Sequence, residues 1–242
     1  MLTLPQNSPI ADSPPARLHQ LRARIAAAAA TAGRTEQSVT LVGVSKGHGA
    51  DAVRTMAQLG VEHFGESYVQ EALPKMDALA QLELSWHFIG RLQANKTRLI
   101  AERFAWAHAV DRLRIAARLA AQRPQFAPPL NVCLQVKLSA AAARGGVPAA
   151  ELPALAAAVA ALPQLRLRGL MCMLPEDLSA AAQRAQFEAV RNLLLALNGG
   201  GAQLDTLSMG MSGDFEAAIG AGATLLRVGT ALFGSRNAPP GP

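Results

Sequence analysis

Eight short apolar runs, separated by helical stretches, constrain this chain more than any other feature. The runs are Val39–Ser45, Val61–Glu66, Leu84–Ile89, Ala105–Val110, Leu130–Leu138, Leu165–Met173, Gln203–Met209 and Thr224–Val228. They are rich in apolar and β-branched residues, and several are bounded by Gly or Pro, which reads as buried strands. The helical candidates between them are Ala50–Leu59, Tyr68–Leu79, Ala94–Arg103, Arg112–Gln122, Pro148–Leu162, Ala180–Leu197 and Phe215–Ala221. Asp111, Ser179 and Asp214 stand where N-caps are expected, and Gly60 and Gly222 where helices stop. A further amphipathic helix from Pro15 to Thr31 opens the folded part, with Leu18, Leu21 and Ile25 at helical spacing. Eight such alternations within 242 residues predict an α/β protein made of a single (β/α)8 TIM barrel. An open doubly wound sheet is the alternative. It usually carries a glycine fingerprint after its first strand, and Val44-Ser45-Lys46-Gly47-His48-Gly49 does not match one. The expected division is a disordered tail over 1–14, one barrel over 15–236 and a short tail over 237–242.

Composition narrows the function. Half of the residues are hydrophobic, few are aromatic, and alanine dominates runs such as Ala26 to Ala30, so much of the chain should be helix. The net charge is +6, but the arginines are scattered and no aromatic residues interleave with them. That pattern fits a solvated surface, not a nucleic-acid groove. Cys133 and Cys172 each lie in an apolar run and read as small buried hydrophobes. Neither metal-ligand spacing nor a disulfide framework is present, so no metal is expected. The N-terminus holds Pro5, Pro9, Pro14 and Pro15 with no apolar core of a secretory signal, and no run is long enough to span a membrane. The expectation is a cytoplasmic protein with no membrane and no nucleic-acid partner.

In a barrel the C-terminal strand ends build the active face, so their polar residues form one list. The first strand ends in Lys46, one of four lysines in a chain with nineteen arginines (23 basic residues less 4). A lysine at the edge of an apolar core loses proton affinity by desolvation, and a neutral amine attacks carbonyls. Taken alone, this segment favours a snorkelling lysine, and the rest of the chain reverses that preference. The second strand end offers Gly65, Glu66 and Ser67, and the third His87, Gly90 and Arg91. The seventh offers Ser208, Met209, Gly210 and Ser212, and the eighth Arg227, Gly229 and Thr230. Glycines at strands seven and eight let backbone N–H groups approach an anion, and loops there often hold phosphate. The ligand these groups select carries a phosphate and an aldehyde.

Other residues are weighed singly. Arg227 facing the pocket would donate to a ring nitrogen and keep it unprotonated; otherwise it pairs with Asp205 or Glu216. His87 is expected in the core or pocket wall, with Trp86 and Phe88 packing on helices. Tyr68, the sole tyrosine, is a hydroxyl donor or an interface residue, and Glu71 a solvated helix residue.

These motifs resemble the pyridoxal phosphate homeostasis proteins (the YggS/PROSC type). The matching stretches are Val42 to Lys46, Phe64 to Glu71, Trp86 to Lys96, Asp205 to Ser212 and Arg227 to Gly234. The resemblance implies a barrel like the N-terminal domain of alanine racemase, with pyridoxal 5′-phosphate (PLP) held as an aldimine on Lys46. It places the phosphate at Ser212, Gly229 and Thr230 and the pyridine nitrogen near Arg227. It adds Ser67, His87, Ser208 and Met209 to the cofactor surround. It implies a role in vitamin B6 supply, with amino acids and PLP-dependent apoenzymes as partners, a monomer or weak dimer, and no catalytic residue. This chain departs from the family at Ser67 (usually Asn), at Gly47-His48-Gly49 (usually Thr-Lys-Pro) and at Arg91 (usually Pro). The looser loop after Lys46 is expected to be more flexible. Two enzyme alternatives stand beside the carrier: an amino-acid racemase, which needs a second acid/base opposite the lysine, and a Schiff-base lyase acting on sugar phosphates.

Overall fold

The computed structural model describes residues 13–138, 145–175 and 177–235. Of the expected tails, residues 1–12 and all of 237–242 lie outside the described residues, as does residue 236 of the expected barrel. Ser13 and Pro14, assigned to the tail by sequence, instead begin the first helix.

Eight parallel strands close into a barrel in chain order. They are β1 (Thr40–Val44), β2 (His63–Glu66), β3 (Ser85–Phe88), β4 (Trp106–Val110), β5 (Leu130–Gln135), β6 (Leu165–Met171), β7 (Thr206–Ser208) and β8 (Leu225–Val228). β8 returns to β1, with Val42 beside Arg227, and so removes both sheet edges. The helices are α1 (Pro14–Thr31), α2 (Ala50–Gln58), α3 (Val69–Ala78), α4 (Thr97–Arg103), α5 (Leu113–Gln122), α6 (Leu152–Ala160), α7 (Ala180–Gly199), α8 (Phe215–Gly220) and α9 (Thr230–Phe233). All eight expected strands are present, and the TIM barrel replaces the open-sheet alternative.

The helix ends follow local chemistry in part. Ser13 accepts from the Ala16 N–H at 3.4 Å, and two prolines occupy the first turn of α1, where their missing N–H groups cost nothing. Ser179 caps α7 through the Ala182 N–H at 3.3 Å, as expected. Asp111 and Asp214 do not cap. Asp214 instead accepts from the Met211 N–H at 2.5 Å and so tightens the loop after β7. Gly60 and Gly222 end helices with φ of +83° and +100°, the left-handed values that glycine alone adopts freely. α1 lies against α8 and α9, closing the helical ring where the barrel closes.

Alternation along each strand separates two environments. Phe64, Trp86, Phe88 and Ala107 point outward into one continuous apolar layer under the helices. Val42, Val44 and Leu225 are buried but lie outside that layer, in the lumen. His108 of β4 bonds Ser208 of β7, two strands that are not neighbours, so both side chains cross the lumen. Among the described residues no helix is long and apolar enough to cross a membrane.

Candidate functional site

Lys46 lies two residues past the end of β1, at the C-terminal mouth, and is half-buried. Its inward direction continues the alternation of Val42 and Val44. The residues on either side of it are anchored. Ser45 is buried and donates from its hydroxyl to Glu66 Oε1 at 2.6 Å, while its carbonyl accepts from Lys75 Nζ at 2.8 Å. The Gly47 N–H donates to Glu71 Oε1 at 2.5 Å. Lys75 ties these anchors together, reaching Glu66 at 2.7 Å and Glu71 at 2.8 Å. Glu71 is therefore part of the frame around the lysine loop, not the free surface residue expected from sequence. Burial is the largest influence on Glu66 and raises its pKa against the opposing Lys75 and Ser45 bonds; its Oε2 is buried with no partner among the described residues.

The loop Gly47-His48-Gly49 is also held. His48 stacks on Phe233 of α9, with ring centroids 5.0 Å apart and planes 25° from parallel, and its N–H donates to the Ser45 carbonyl at 3.0 Å. The β1 loop thus packs against the element that follows β8. Ser67, just past β2, is half-buried, and its carbonyl lies where a Cβ on Gly90 would fall, at 2.2 Å. Only glycine permits this approach of the β2 and β3 loops.

At strands seven and eight, Gly210 turns the chain with φ of +97°, and a Cβ there would meet Ala218 and Leu226 within 3 Å (2.8 and 2.9 Å). Met209 is fully buried behind that turn. The Ser212 hydroxyl accepts from the Ala231 N–H at 3.3 Å, which joins the β7 loop to the start of α9. The N-cap of α9 is Gly229, which has no side chain, so Ser212 supplies the cap from the β7 loop, and Thr230, the first residue of α9, is exposed. The start of α9 follows β8 directly, at the same end of the barrel as Lys46.

Arg227 is 4% exposed and forms neither of the ion pairs considered from sequence. Asp205 pairs with Arg168 at 2.8 Å, and Glu216 with Arg24 at 2.5 Å. Arg227 Nη1 donates to Ser208 Oγ at 2.7 Å and Nη2 to the Cys172 carbonyl at 2.8 Å, which leaves further N–H groups of the fork. Burial lowers its pKa from the ordinary arginine value. His87 lies deeper, fully buried in β3, with Nε2 at 2.9 Å from His63 Nδ1 and Nδ1 at 2.9 Å from His108 Nε2. Both of its ring nitrogens are engaged with histidines, and Ser85 Oγ lies farther from Nε2, at 3.5 Å. Tyr68 is 65% exposed. Cys133 and Cys172 are buried thiols whose pKa values burial pushes up to about 12, so neither is a nucleophile.

Sequence reasoning passed over His63, His108 and the buried role of Lys75. A usable signal was histidine at inward-facing positions of three successive strands. For Lys75 it was a Glu71–Lys75 pair spaced by four on a helix beside the lysine strand.

The donor set at this mouth fits a phosphorylated aldehyde. It contains one half-buried amine, a buried guanidinium with no salt bridge among the described residues, and a short helix start beside Ser212, Gly229 and Thr230. Comparison with known proteins agrees. The profile of the alanine racemase N-terminal domain matches residues 16–237. The pyridoxal phosphate homeostasis protein of Pseudomonas aeruginosa is 57% identical over 218 residues, 90% of this chain and 94% of that protein. This chain belongs to the pyridoxal phosphate homeostasis protein family. The family member of Escherichia coli K12 is 49% identical over 226 residues, covering 91% of this chain and 95% of its own. The solved structure of PipY from Synechococcus elongatus PCC7942, with PLP bound, aligns at a TM-score of 0.81 and 39% identity, covering 92% of this chain and all of that one (100%). All nine residues assigned to the cofactor surround, from Lys46 to Thr230, lie within the family match.

Proposed function

We propose that this protein binds PLP at the C-terminal mouth of the barrel and acts in the intracellular supply of that cofactor, holding it through Lys46 and releasing it. The observation that carries this reading is the placement of Lys46. It is a half-buried amine whose two neighbours are fixed by Glu66, Lys75 and Glu71, at the same mouth as the Ser212 and α9 loops. Anchoring its flanks pre-orients the amine, which lowers the ordering cost of binding. The cofactor supplies an aldehyde that condenses with a primary amine. The protein supplies the rest: the amine, an anion site at Ser212, Gly229 and Thr230, and Arg227 for the ring nitrogen. Ser208 holds Arg227, Met209 backs the Gly210 turn from the apolar layer, Ser67 lines the neighbouring loop, and His87 acts from behind through His108.

The role is that of a carrier without turnover of its own. A two-base racemase needs a proton carrier opposite the lysine, and the sole tyrosine, Tyr68, is on the surface. Free amino acids exchange with the bound aldehyde, and PLP-dependent apoenzymes receive it. The test is titration of the native protein and Lys46→Ala with PLP, followed by visible absorbance. A shifted band in the native protein and its loss in Lys46→Ala is the expected result. Equal spectra for the two proteins overturn the assignment. Racemisation of amino acids by the native protein, abolished in Lys46→Ala, overturns the carrier role and restores the enzyme reading.

A further inference from the structure

Arg227 brings a cation into the lumen without a carboxylate beside it. Among the described residues it makes no salt bridge, and Asp214 acts on it only at a distance. A buried cation needs acceptors for its N–H groups. One is the Cys172 carbonyl. The other is Ser208 Oγ, which also lies 2.7 Å from His108 Nδ1.

Counting protons from this point gives the whole network a direction. Arginine only donates, so Ser208 accepts from it. Ser208 is fully buried, and His108 Nδ1 is the one remaining partner of its hydroxyl among the described residues, so its proton goes there. His108 is neutral: burial first, and then the charge of Arg227, hold its pKa down to about 3. A neutral imidazole that accepts at Nδ1 donates at Nε2. His108 therefore donates to His87 Nδ1 at 2.9 Å. His87 lies well below the ordinary histidine range because of burial, then His108, then His63. It accordingly donates from Nε2 to His63 Nδ1 at 2.9 Å. His63 ends the series at a cavity of about 260 Å³ at the opposite, N-terminal mouth, facing Trp106 and the Arg168–Asp205 pair, with Glu62 beside it in sequence. Every imidazole turns its lone pair toward Arg227 and its N–H away, so the dipoles add.

We propose that His63, His87 and His108 are positioning residues for Arg227: a one-directional relay of neutral imidazoles that takes the place of a carboxylate and ties the cofactor end of the barrel to its far mouth. The proposal rests on the reading that Arg227 meets the ring nitrogen of PLP. With the relay intact the guanidinium stays fixed on Ser208 and Cys172, and the ring nitrogen it faces stays unprotonated. With the relay broken, Ser208 turns, Arg227 loosens and the ring nitrogen takes up a proton.

Two measurements test this. The first is nitrogen-15 spectroscopy of the histidine rings in protein to which no PLP has been added. All three rings are expected as neutral Nε2–H tautomers at about pH 7. An Nδ1–H tautomer or a charged ring at His87 or His108 overturns the relay. The second is the pH profile of the visible absorbance of PLP bound to His63→Phe and His63→Gln. His63 is half-exposed at the far mouth, and neither variant touches the PLP end. His63→Phe removes the imidazole acceptor at 2.9 Å, leaves His87 Nε2 only the distant Ser85 Oγ at 3.5 Å, and is expected to add a pH-dependent step between about pH 6 and 8. His63→Gln both accepts and donates, and is expected to restore the native profile. Native-like profiles in both variants overturn the proposal, because a merely structural histidine would lower stability without moving the spectrum. Native protein that takes up no PLP sinks the proposed function instead, and the ring tautomers then decide the relay alone.

Discussion

On the outer face of β2 and β3, Phe64, Trp86 and Phe88 join an apolar layer that runs continuously under the helices. On the inner face of the same strands, His63 and His87 begin a chain of hydrogen bonds that ends at Arg227. The outer layer works by area: its contacts are non-directional and many side-chain combinations fill it. The lumen works by direction: each buried donor needs one acceptor at one distance, and each lost partner leaves an unsatisfied group. Non-directional packing and directed hydrogen bonding are thereby placed on opposite faces of the same strands.

Acid gives the largest expected separation between the two. The folded-state pKa of His108, about 3, lies below its ordinary value of 6.5, so between these limits the unfolded chain binds a proton that the folded chain refuses. Its contribution is complete above pH 6.5 and falls away as the pH drops toward about 3, with a limiting slope of roughly 1.4 kcal/mol per pH unit. His87 adds in the same direction. Denaturant midpoints measured at descending pH are expected to drop from about pH 6.5, before carboxylates titrate. Midpoints that stay level until the carboxylate range contradict a neutral lumen.

The apolar layer is probed by Phe104→Ala. Phe104 is 1% exposed and stands edge-on to Phe88 at 5.4 Å. The expected loss is about 3–5 kcal/mol in urea unfolding, with the absorbance of bound PLP unchanged. A shifted absorbance would show that the two faces are not independent. Lys75→Met tests the frame around Lys46. It leaves Glu66 buried without its cation, with an expected loss of about 3 kcal/mol, and it slows PLP capture because the Ser45 carbonyl loses its donor and Glu66 and Glu71, which hold the flanks of Lys46, lose their shared cation. A stopped-flow capture rate equal to native would remove Lys75 from the account of the site. Arg227→Gln has the smallest effect on stability, on the order of 1 kcal/mol, since it deletes a charge together with its acceptor demand. It is expected to change the absorbance of bound PLP as the ring nitrogen becomes protonated, and an unchanged spectrum across pH counts against Arg227 as that contact.

The sequence makes the outer face readable and the inner face mostly unreadable. Runs such as Val39–Ser45 and Leu130–Leu138 are apolar because strands in a barrel are covered, and that pattern alone supports the eightfold count. The ends were less clear: β5 stops at Gln135 and β7 covers only Thr206–Ser208, because pairing with neighbouring strands, not apolarity, sets where a strand ends. Lys46, Ser212, Arg227 and Gly229 stand out as polar or small residues at strand ends, which is a local signal. The histidine relay is not local. His63, His87 and His108 lie 24 and 21 residues apart, and only the register of adjacent strands brings their rings together. The loop at Gly47-His48-Gly49 misled for a related reason. Its glycines read as freedom, whereas His48 stacks on Phe233, nearly two hundred residues away in sequence (185), and Gly47 is held by Glu71.

The central claim is that one amine of four carries the cofactor. Saturation with PLP, borohydride reduction and peptide mass spectrometry measure it directly. The expected result is a single pyridoxyl addition on the peptide containing Lys46, with Lys75 protected by its two carboxylates and 6% exposure. A label found on Lys75, Lys96 or Lys137 while Lys46 remains unmodified would contradict the account.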